Sequence, residues 1–280
     1  MCRLVGWVSA EPTTLAAILG PEALDRLAHL STVHCDGWGA AWHDDAGGLQ
    51  VRRSLRPAHE DEAFRDLAEN LRTRSAIVHL RLGTPGYGEG ADNTHPFVAG
   101  PQAFAHNGAI GPRARIDRLL RDGDGSRVRG RTDSERYFLA LREEMADGAD
   151  LAEAVRRVLQ RMEKSGLVGN SLNALLLDPQ ALHVIAEHDA HWEPSTIPVW
   201  PADDLASGLA LPRYLTLSYR VRPDEVVAVS SGIVSETQEW APLPSHTVLT
   251  VGLETRELQL APVMTSPMAG AALVAEPARD

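Results

Sequence analysis

The sequence predicts an α+β or layered α/β fold, and three observations support that class. Strand-like segments begin the chain, a group of helical segments follows, and strand-like segments return in the last third. This order differs from the regular alternation of βαβ units. At 280 residues the chain is long enough to bury a core without a disulfide or a metal. We expect one domain over residues 2–260 and a flexible tail over 261–280, where Ala and Pro are frequent and periodicity is lost.

The elements of the first part of the chain follow from apolar spacing and turn residues. Arg3 to Ser9 is a mostly apolar strand, and Pro21 to Leu30 is a short helix that begins with proline. A hairpin is expected around residues 44–48, where the turn residues DDAGG separate two strand segments. Its strands are Gly37 to His43 and Leu49 to Ser54. Glu60 to Arg72 has apolar residues at helical spacing.

The remaining elements flank or follow a glycine-rich loop. Strands are expected at Ser75 to Arg81, before the loop, and at Gln102 to His106, after it. Helical stretches follow near 112–121, 133–146 and 150–164, and the second begins with the capping box TDSE. The last strands are expected at Ser171 to Leu177, Leu182 to Ala186, Leu215 to Arg220, Glu225 to Ser230, and Thr247 to Leu253.

Composition excludes several classes of function. A net charge of -11, scattered along the chain, argues against a nucleic-acid or anionic-membrane surface. Two cysteines are too few for a disulfide framework, and no stretch has the length of a membrane span, so we expect a cytoplasmic protein. His183, His188 and His191 do not have a usual ligand spacing, and we expect neither a metal nor a cofactor.

Cys2 is the first candidate for chemistry. If Met1 is removed, the α-amino group of Cys2 lies within a few bonds of its own thiol. That amine has an ordinary pKa of about 7.7–8, so it can accept the thiol proton directly or through one water. The alternative interpretation is a small apolar residue at the start of a strand. The second cysteine, Cys35, has no evident base beside it, and we expect it to be buried and inert.

Three short motifs carry further candidates, each with an ordinary alternative. RLGTPG places Arg81 at a strand end, where a guanidinium suits a carboxylate, although it also fits a surface arginine beside a flexible loop. In AHNG, Asn107 and Gly108 are able to form an oxyanion hole, but Asn-Gly is also a common hairpin turn. In TDSE, Asp133 either binds a substrate ammonium or only favours the helix N-terminus.

Taken together and in order, Cys2, RLGTPG, NTHPF, AHNG and TDSE resemble the class II glutamine amidotransferase domain, which is an N-terminal-nucleophile hydrolase. The resemblance is firm over residues 2–140 and loose beyond. It implies a layered αββα sandwich of two mostly antiparallel sheets between helices. The RxxTPG form, the NTHPF motif and the early segment CDGWGAAW are similar to a stand-alone branch that includes the ergothioneine-pathway γ-glutamyl hydrolase.

The resemblance assigns roles to individual residues. Cys2 matches the nucleophile, and Asn107 with Gly108 matches the oxyanion hole. Arg81 matches the residue that holds the substrate α-carboxylate, with Thr84 in the same loop. Asp133 matches the carboxylate for the α-ammonium, and Gly108 also contacts the substrate. The chain departs from many members at Leu82 and Pro85, which shape the glutamine loop and bear on the leaving group more than on the glutamyl group.

The function implied is hydrolysis of the γ-glutamyl amide of a small-molecule amine, through a γ-glutamyl thioester, in a biosynthetic pathway. Residues 150–280 are too few for an extra synthetase domain, because their strands are needed to complete the sandwich. The alternative is a glutaminase subunit that delivers ammonia to a separate synthetase partner. A non-catalytic protein of the same fold is a third interpretation, and removal of Met1 distinguishes it from the other two.

Overall fold

A computed structural model describes residues 2–83, 90–121, 127–188, 214–235 and 239–263. Within these ranges, no helix is both long enough and apolar enough to cross a membrane. The α-helices described are α1 (Leu15–Leu19), α2 (Pro21–Leu30), α3 (Glu62–Asn70), α4 (Asp133–Ala146) and α5 (Leu151–Ser165). Short 3-10 helices occupy Ala58–Glu60, Ala91–Asn93 and Arg113–Leu119.

The first sheet has seven strands among the described residues, and its pairings are antiparallel. In spatial order these strands are β13 (Ala241–Pro242), β11 (Leu217–Arg222), β12 (Glu225–Ser230), β1 (Arg3–Thr13), β4 (Thr73–Leu80), β2 (Trp38–His43) and β3 (Leu49–Ser54). The N-terminal strand is therefore central. Such a position ties down a chain end that would otherwise fray.

The second sheet has six strands in the described part of the chain, and it is also antiparallel. Its spatial order is β15 (Leu258–Pro262), β14 (Thr247–Gly252), β10 (Ala181–Ala186), β9 (Asn173–Leu177), β6 (Gln102–Asn107) and β5 (Phe97–Ala99). A separate short ribbon pairs β7 (Ile110–Gly111) with β8 (Val168–Gly169).

Three apolar clusters show that the elements form four layers, as expected. Side chains alternate along β1, so that Val5 and Trp7 pack against the layer of α1, α2 and α3. Leu4 and Val8 point the other way and pack against the second sheet. The outer face of the second sheet, which includes Phe104, is covered by α4 and α5. The order helix, sheet, sheet, helix confirms the αββα prediction.

The differences from the expected elements are local. α1 was not predicted, because five residues are too short for a periodic pattern; Thr14 caps it by accepting a hydrogen bond from the Ala17 N–H. The helix expected near 112–121 is a 3-10 helix. β5 and β15 were also missed, and β15 runs to Pro262, beyond the expected start of the tail. The rest of that tail, 264–280, lies outside the described residues.

Candidate active site

Cys2 directly precedes β1 and is buried, with 7% of its surface exposed. Its Sγ lies 3.4 Å from the backbone nitrogen of Leu82, whose N–H donates to it, and 3.5 Å from the Leu82 carbonyl oxygen. Leu82 follows β4, where Leu80 pairs with Arg3 of β1. The pairing of these two central strands therefore places the thiol against the start of the loop that carries RLGTPG.

Arg81 is also buried and does not fit the surface alternative. Its backbone N–H donates to the Gly37 carbonyl at 2.9 Å, and its Nη1 donates to the Asp36 carbonyl at 3.3 Å. The Asp36 carboxylate in turn accepts a 2.6 Å hydrogen bond from the Gly83 N–H. The loop before β2 thus fixes both ends of the arginine. Thr84 and Pro85 lie outside the described residues.

Cys35 directly precedes Asp36 and Gly37. Its predicted burial is wrong, since the side chain is exposed. It lies in the loop between α2 and β2, and β2 begins only at Trp38. The burial that accompanies a central strand does not extend to it.

Asn107 is the last residue of β6, and it pairs with Asn173 of β9. Its carbonyl accepts a 2.9 Å hydrogen bond from the Ser171 hydroxyl, and its Oδ1 is buried with no hydrogen-bond partner among the residues described. β6 pairs with β5 and β9, whereas β7 pairs with β8. Asn-Gly therefore does not form the turn of a hairpin here, which removes the ordinary alternative for this motif.

Gly108 lies where a side chain has no room. A Cβ at this position would be 1.9 Å from the Ser171 carbonyl oxygen and 2.7 Å from His106 Nε2. Contacts below 3.0 Å with backbone atoms force the backbone apart. Glycine is required by this close approach, which brings the backbone after Asn107 against residue 171.

Asp133 is the first residue of α4 and is buried. Thr132 caps the helix through a 3.3 Å hydrogen bond from the Glu135 N–H, as the TDSE motif predicts. The Asp133 Oδ2 accepts a 2.7 Å hydrogen bond from the Ile110 N–H, two residues after Gly108. The carboxylate is therefore more than a favourable first-turn acid, because it also holds the chain that follows the Asn-Gly pair.

Two histidines join these parts. His79, opposite Leu4 in the first sheet, has its Nε2 3.3 Å from the carbonyl oxygen of His106 in the second sheet. His106 Nδ1 lies 2.9 Å from the Ser134 hydroxyl of α4. The start of β1, the ends of β4 and β6, and the start of α4 consequently meet at one end of the sandwich. Cys2 belongs to the same end, because it precedes the strand that pairs with β4.

Burial controls the protonation of this region. It raises the pKa of the Cys2 thiol, against the lowering effects, in decreasing order, of the positive N-terminal charge, the Leu82 N–H, Arg81 and Arg3. It also raises the pKa of Asp133, although His106 and the Ile110 N–H oppose it.

The histidines respond to burial in the opposite direction. Burial lowers the pKa of His79 to about 3, and it lowers the pKa values of His95 and His106 as well. The two ring nitrogens of His106 face Ser134 and the Ser171 carbonyl. His106 is therefore held by neighbours and is not placed to accept the Cys2 proton.

Sequence reasoning missed several residues that support this region. His79 gave no signal, since histidine in an apolar strand fits many roles, yet it links the sheets and contacts the tilted ring of His95 at a centroid distance of 4.1 Å. Ser171 gave no signal either. Arg3 offered one, because a charged residue follows Cys2 within an otherwise apolar strand.

Comparison with known proteins decides the family. The family model of class II glutamine amidotransferases matches residues 1–199 of this chain. The chain belongs to the class II glutamine amidotransferases. A class II glutamine aminotransferase domain protein from Silicibacter pomeroyi has a similar fold, with a TM-score of 0.62 at 22% identity, covering 93% of this chain and 99% of that one.

Among curated relatives, the γ-glutamyl-hercynylcysteine sulfoxide hydrolase of Mycolicibacterium smegmatis is 31% identical over 118 residues. The match covers 39% of this chain and 52% of that protein, so the chain spans about half the length of this relative. A probable glutamine amidotransferase of Saccharomyces cerevisiae is 22% identical, over 91% of this chain and 83% of that protein. This class II glutamine amidotransferase therefore has one relative that is named a γ-glutamyl-hercynylcysteine sulfoxide hydrolase and another that is named a probable glutamine amidotransferase.

Proposed function

We propose that this protein is an N-terminal-cysteine amidohydrolase that cleaves the γ-glutamyl amide bond of a glutamylated small-molecule amine and releases glutamate. The observation that carries the proposal is the buried Cys2 thiol at the start of the central strand, against the backbone of Leu82 and beside the buried Arg81. It lies at the end of the sandwich where Asn107 and Asp133 also lie. The name of the mycobacterial relative supports a γ-glutamyl amide as the substrate class.

The proposed first step forms a bond between sulfur and carbon. Arg81 binds the α-carboxylate of the glutamyl group and Asp133 binds its α-ammonium, which fixes the γ-carbonyl over Cys2 and makes the attack effectively intramolecular. With Met1 removed, the α-amine of Cys2 takes the thiol proton as sulfur attacks. Asn107 and Gly108 donate hydrogen bonds to the oxyanion that forms.

The second half of the reaction releases both products. The tetrahedral intermediate collapses, the C–N bond breaks, and the leaving amine takes the proton held by the α-amine. A γ-glutamyl thioester of Cys2 remains. Water then adds to the thioester and the C–S bond breaks. Glutamate is released, and the free thiol of Cys2 is restored. The α-amine serves as base for the water, as it did for the thiol.

A second candidate function is a glutaminase subunit that delivers ammonia to a separate synthetase partner. Family membership and the yeast relative, which is named a probable glutamine amidotransferase, favour it. The two functions share every step above and differ in the leaving group. We place either reaction in the cytoplasm, because a chain with two cysteines has no disulfide framework to suit an oxidising compartment.

The test compares glutamine with a panel of γ-glutamyl amines, using protein whose N-terminus has been checked by intact mass. Removal of Met1 and faster turnover of one larger γ-glutamyl amine than of glutamine support the proposal. Cys2→Ala should abolish turnover while binding of glutamate is retained. Hydrolysis that persists in this variant would refute the nucleophile assignment. Fast glutamine turnover without a partner would favour the glutaminase, and retained Met1 would favour a non-catalytic protein.

A further inference from the structure

We infer that Arg3 is a positioning residue for the proposed nucleophile: its guanidinium holds the backbone carbonyl of Cys2 and places a buried cation next to that residue. The inference rests on the proposed function, because it concerns the same reaction, and it adds a residue that the family motifs do not include.

The contacts of Arg3 carry the argument. Its Nη1 donates a 3.1 Å hydrogen bond to the Cys2 carbonyl and lies 3.0 Å from the Tyr214 hydroxyl oxygen. Its Cζ lies 4.6 Å from the centroid of the Tyr214 ring, within the range of a cation–π contact. Arg3 is fully buried and Tyr214 is 1% exposed. Burial of a guanidinium carries a large desolvation penalty, so a buried arginine is unusual in a strand of apolar residues.

The alternation of β1 shows that Arg3 acts through Cys2 and not on the substrate. Val5 and Trp7, which share the side of Arg3, face the helix layer. Leu4 faces the second sheet. Side chains of successive strand residues point to opposite faces, so Arg3 lies on the helix side of the first sheet. The end of β6, with its proposed oxyanion donors, belongs to the other side.

A terminal nucleophile needs this kind of support. Once Met1 is removed, Cys2 has a peptide bond on one side only, and terminal residues fray unless they are tied down. The Leu4 N–H donates to the Ser230 hydroxyl at 2.8 Å, which anchors the strand two residues away from the thiol. Leu82 contacts the sulfur of Cys2, and Arg3 contacts its carbonyl oxygen. The two contacts together restrict where the sulfur can lie.

The positive charge of Arg3 acts on Cys2 in addition to its hydrogen bond. Burial raises the pKa of the Cys2 thiol, and the cation of Arg3 is the smallest of the effects that oppose that change. Replacing Arg3 with an uncharged residue should therefore both loosen Cys2 and make its thiolate harder to form. A purely structural residue would change neither the thiol pKa nor turnover once the protein is folded.

The experiment uses the full chain carrying Cys35→Ser, because the exposed Cys35 would also be alkylated. Variants Arg3→Met, Arg3→Lys and Tyr214→Phe are compared with the matched control Arg220→Met. Arg220 is a second buried arginine of the same sheet, with its Cζ 4.7 Å from the Trp240 ring. It pairs with Val227, which pairs with Trp7, so it lies along the sheet from Cys2. Intact mass confirms equal removal of Met1.

Two quantities are measured: the pH dependence of iodoacetamide alkylation of Cys2, and kcat and KM for γ-glutamyl-p-nitroanilide. Arg3→Met should raise the midpoint of the alkylation profile and lower kcat roughly tenfold, with KM changed less than about twofold. Arg3→Lys should leave the midpoint near that of the parent and lower kcat by about threefold, because the charge remains but the planar fork is lost. Arg220→Met should change neither.

An unchanged midpoint and an unchanged kcat in folded Arg3→Met would overturn the inference. If Arg3→Met does not fold, Tyr214→Phe and Arg3→Lys decide, since the first removes the hydroxyl contact of the guanidinium and the second removes the planar fork but keeps the charge; unchanged kcat in both would equally overturn the inference. The alkylation profile requires no turnover. A parent protein that hydrolyses no γ-glutamyl amide, but whose Cys2 midpoint responds to Arg3→Met, would therefore contradict the proposed function and not the role of Arg3.

Discussion

Replacing Gly108 with alanine tests the proposed oxyanion site most directly. A Cβ at this position would lie 1.9 Å from the Ser171 carbonyl oxygen and 2.7 Å from the Ser171 carbonyl carbon. The Ser171 hydroxyl donates to the Asn107 carbonyl, and the Ser171 carbonyl faces His106. Relief of the clash must therefore move the backbone of residue 171 away from the end of β6, and Asn107 and Gly108 with it.

The effects on stability and on turnover should differ greatly in size. Forcing a methyl group into a packed site costs about 1–3 kcal/mol of unfolding free energy. At roughly 2–4 °C per kcal/mol for a chain near this size, the expected fall in Tm is several degrees. Displacement of an oxyanion donor lowers kcat by about 10²–10³. We therefore expect Gly108→Ala to remain folded at 25 °C with almost no hydrolysis.

Gly47→Ala is the matched control. Gly47 has a φ of 78° and open space around it, in the turn between β2 and β3. Alanine in the left-handed region costs about 1–2 kcal/mol, which is similar to the cost at Gly108. Thermal unfolding followed by circular dichroism and hydrolysis of γ-glutamyl-p-nitroanilide are measured for both variants. If folded Gly108→Ala keeps kcat within threefold of the parent, or if Gly47→Ala loses as much, the packing argument is wrong.

Three further predictions follow from burial and charge. Asp133→Asn keeps an acceptor for the Ile110 N–H but removes the charge, so KM for a γ-glutamyl substrate should rise at least tenfold while kcat changes less; an unchanged KM would exclude an ammonium contact. Burial lowers the pKa of His79 to about 3, so the unfolded chain takes up a proton at a higher pH than the folded chain does. The stability that is present above about pH 6.5 therefore falls as the pH decreases toward 3. Between pH 7 and pH 5 this loss amounts to about 2 kcal/mol, and urea unfolding should show a smaller loss for His79→Gln. Arg161→Met removes one arginine partner of the buried Glu143 and Glu144, which keep Arg127 and Arg121 as partners, so it should lower the unfolding free energy by about 1.5 kcal/mol without changing kcat; a lowered kcat would show that α4 and α5 transmit strain to the site.

The strands and helices were predictable because their periods are present in the local sequence, whereas the αββα layering was expected from the family resemblance. The capping box TDSE predicted the start of α4, and the apolar segments of β1, β4 and β10 predicted strands. The order of the strands within each sheet was not predictable in this way. β1 pairs with β12 more than 200 residues later, and no local pattern reports such a distance.

The candidate site shows the same limit. Cys2, Arg81, the Asn-Gly pair and Asp133 were predicted as residues, but their meeting at one end depends on contacts between sheets. The hydrogen bond between His79 and the His106 carbonyl is one such contact. The predicted burial of Cys35 failed for a related reason, because two residues separate it from β2. Sequence motifs name chemical groups, whereas their environment is set by the packing of distant segments.

The two arginines near Cys2 divide the work of supporting the thiolate. Both oppose the effect of burial on the thiol pKa in the free protein. In the proposed reaction the α-carboxylate of the substrate pairs with Arg81 and neutralises that cation, so Arg81 would assist the thiol least when the thiol must react. Arg3 lies on the helix side of the sheet, bonded to the Cys2 carbonyl and to Tyr214, and it is not one of the proposed substrate contacts. In this proposal Arg3 is therefore the arginine whose charge continues to support Cys2 in the substrate complex, which accounts for a buried arginine directly after the proposed nucleophile.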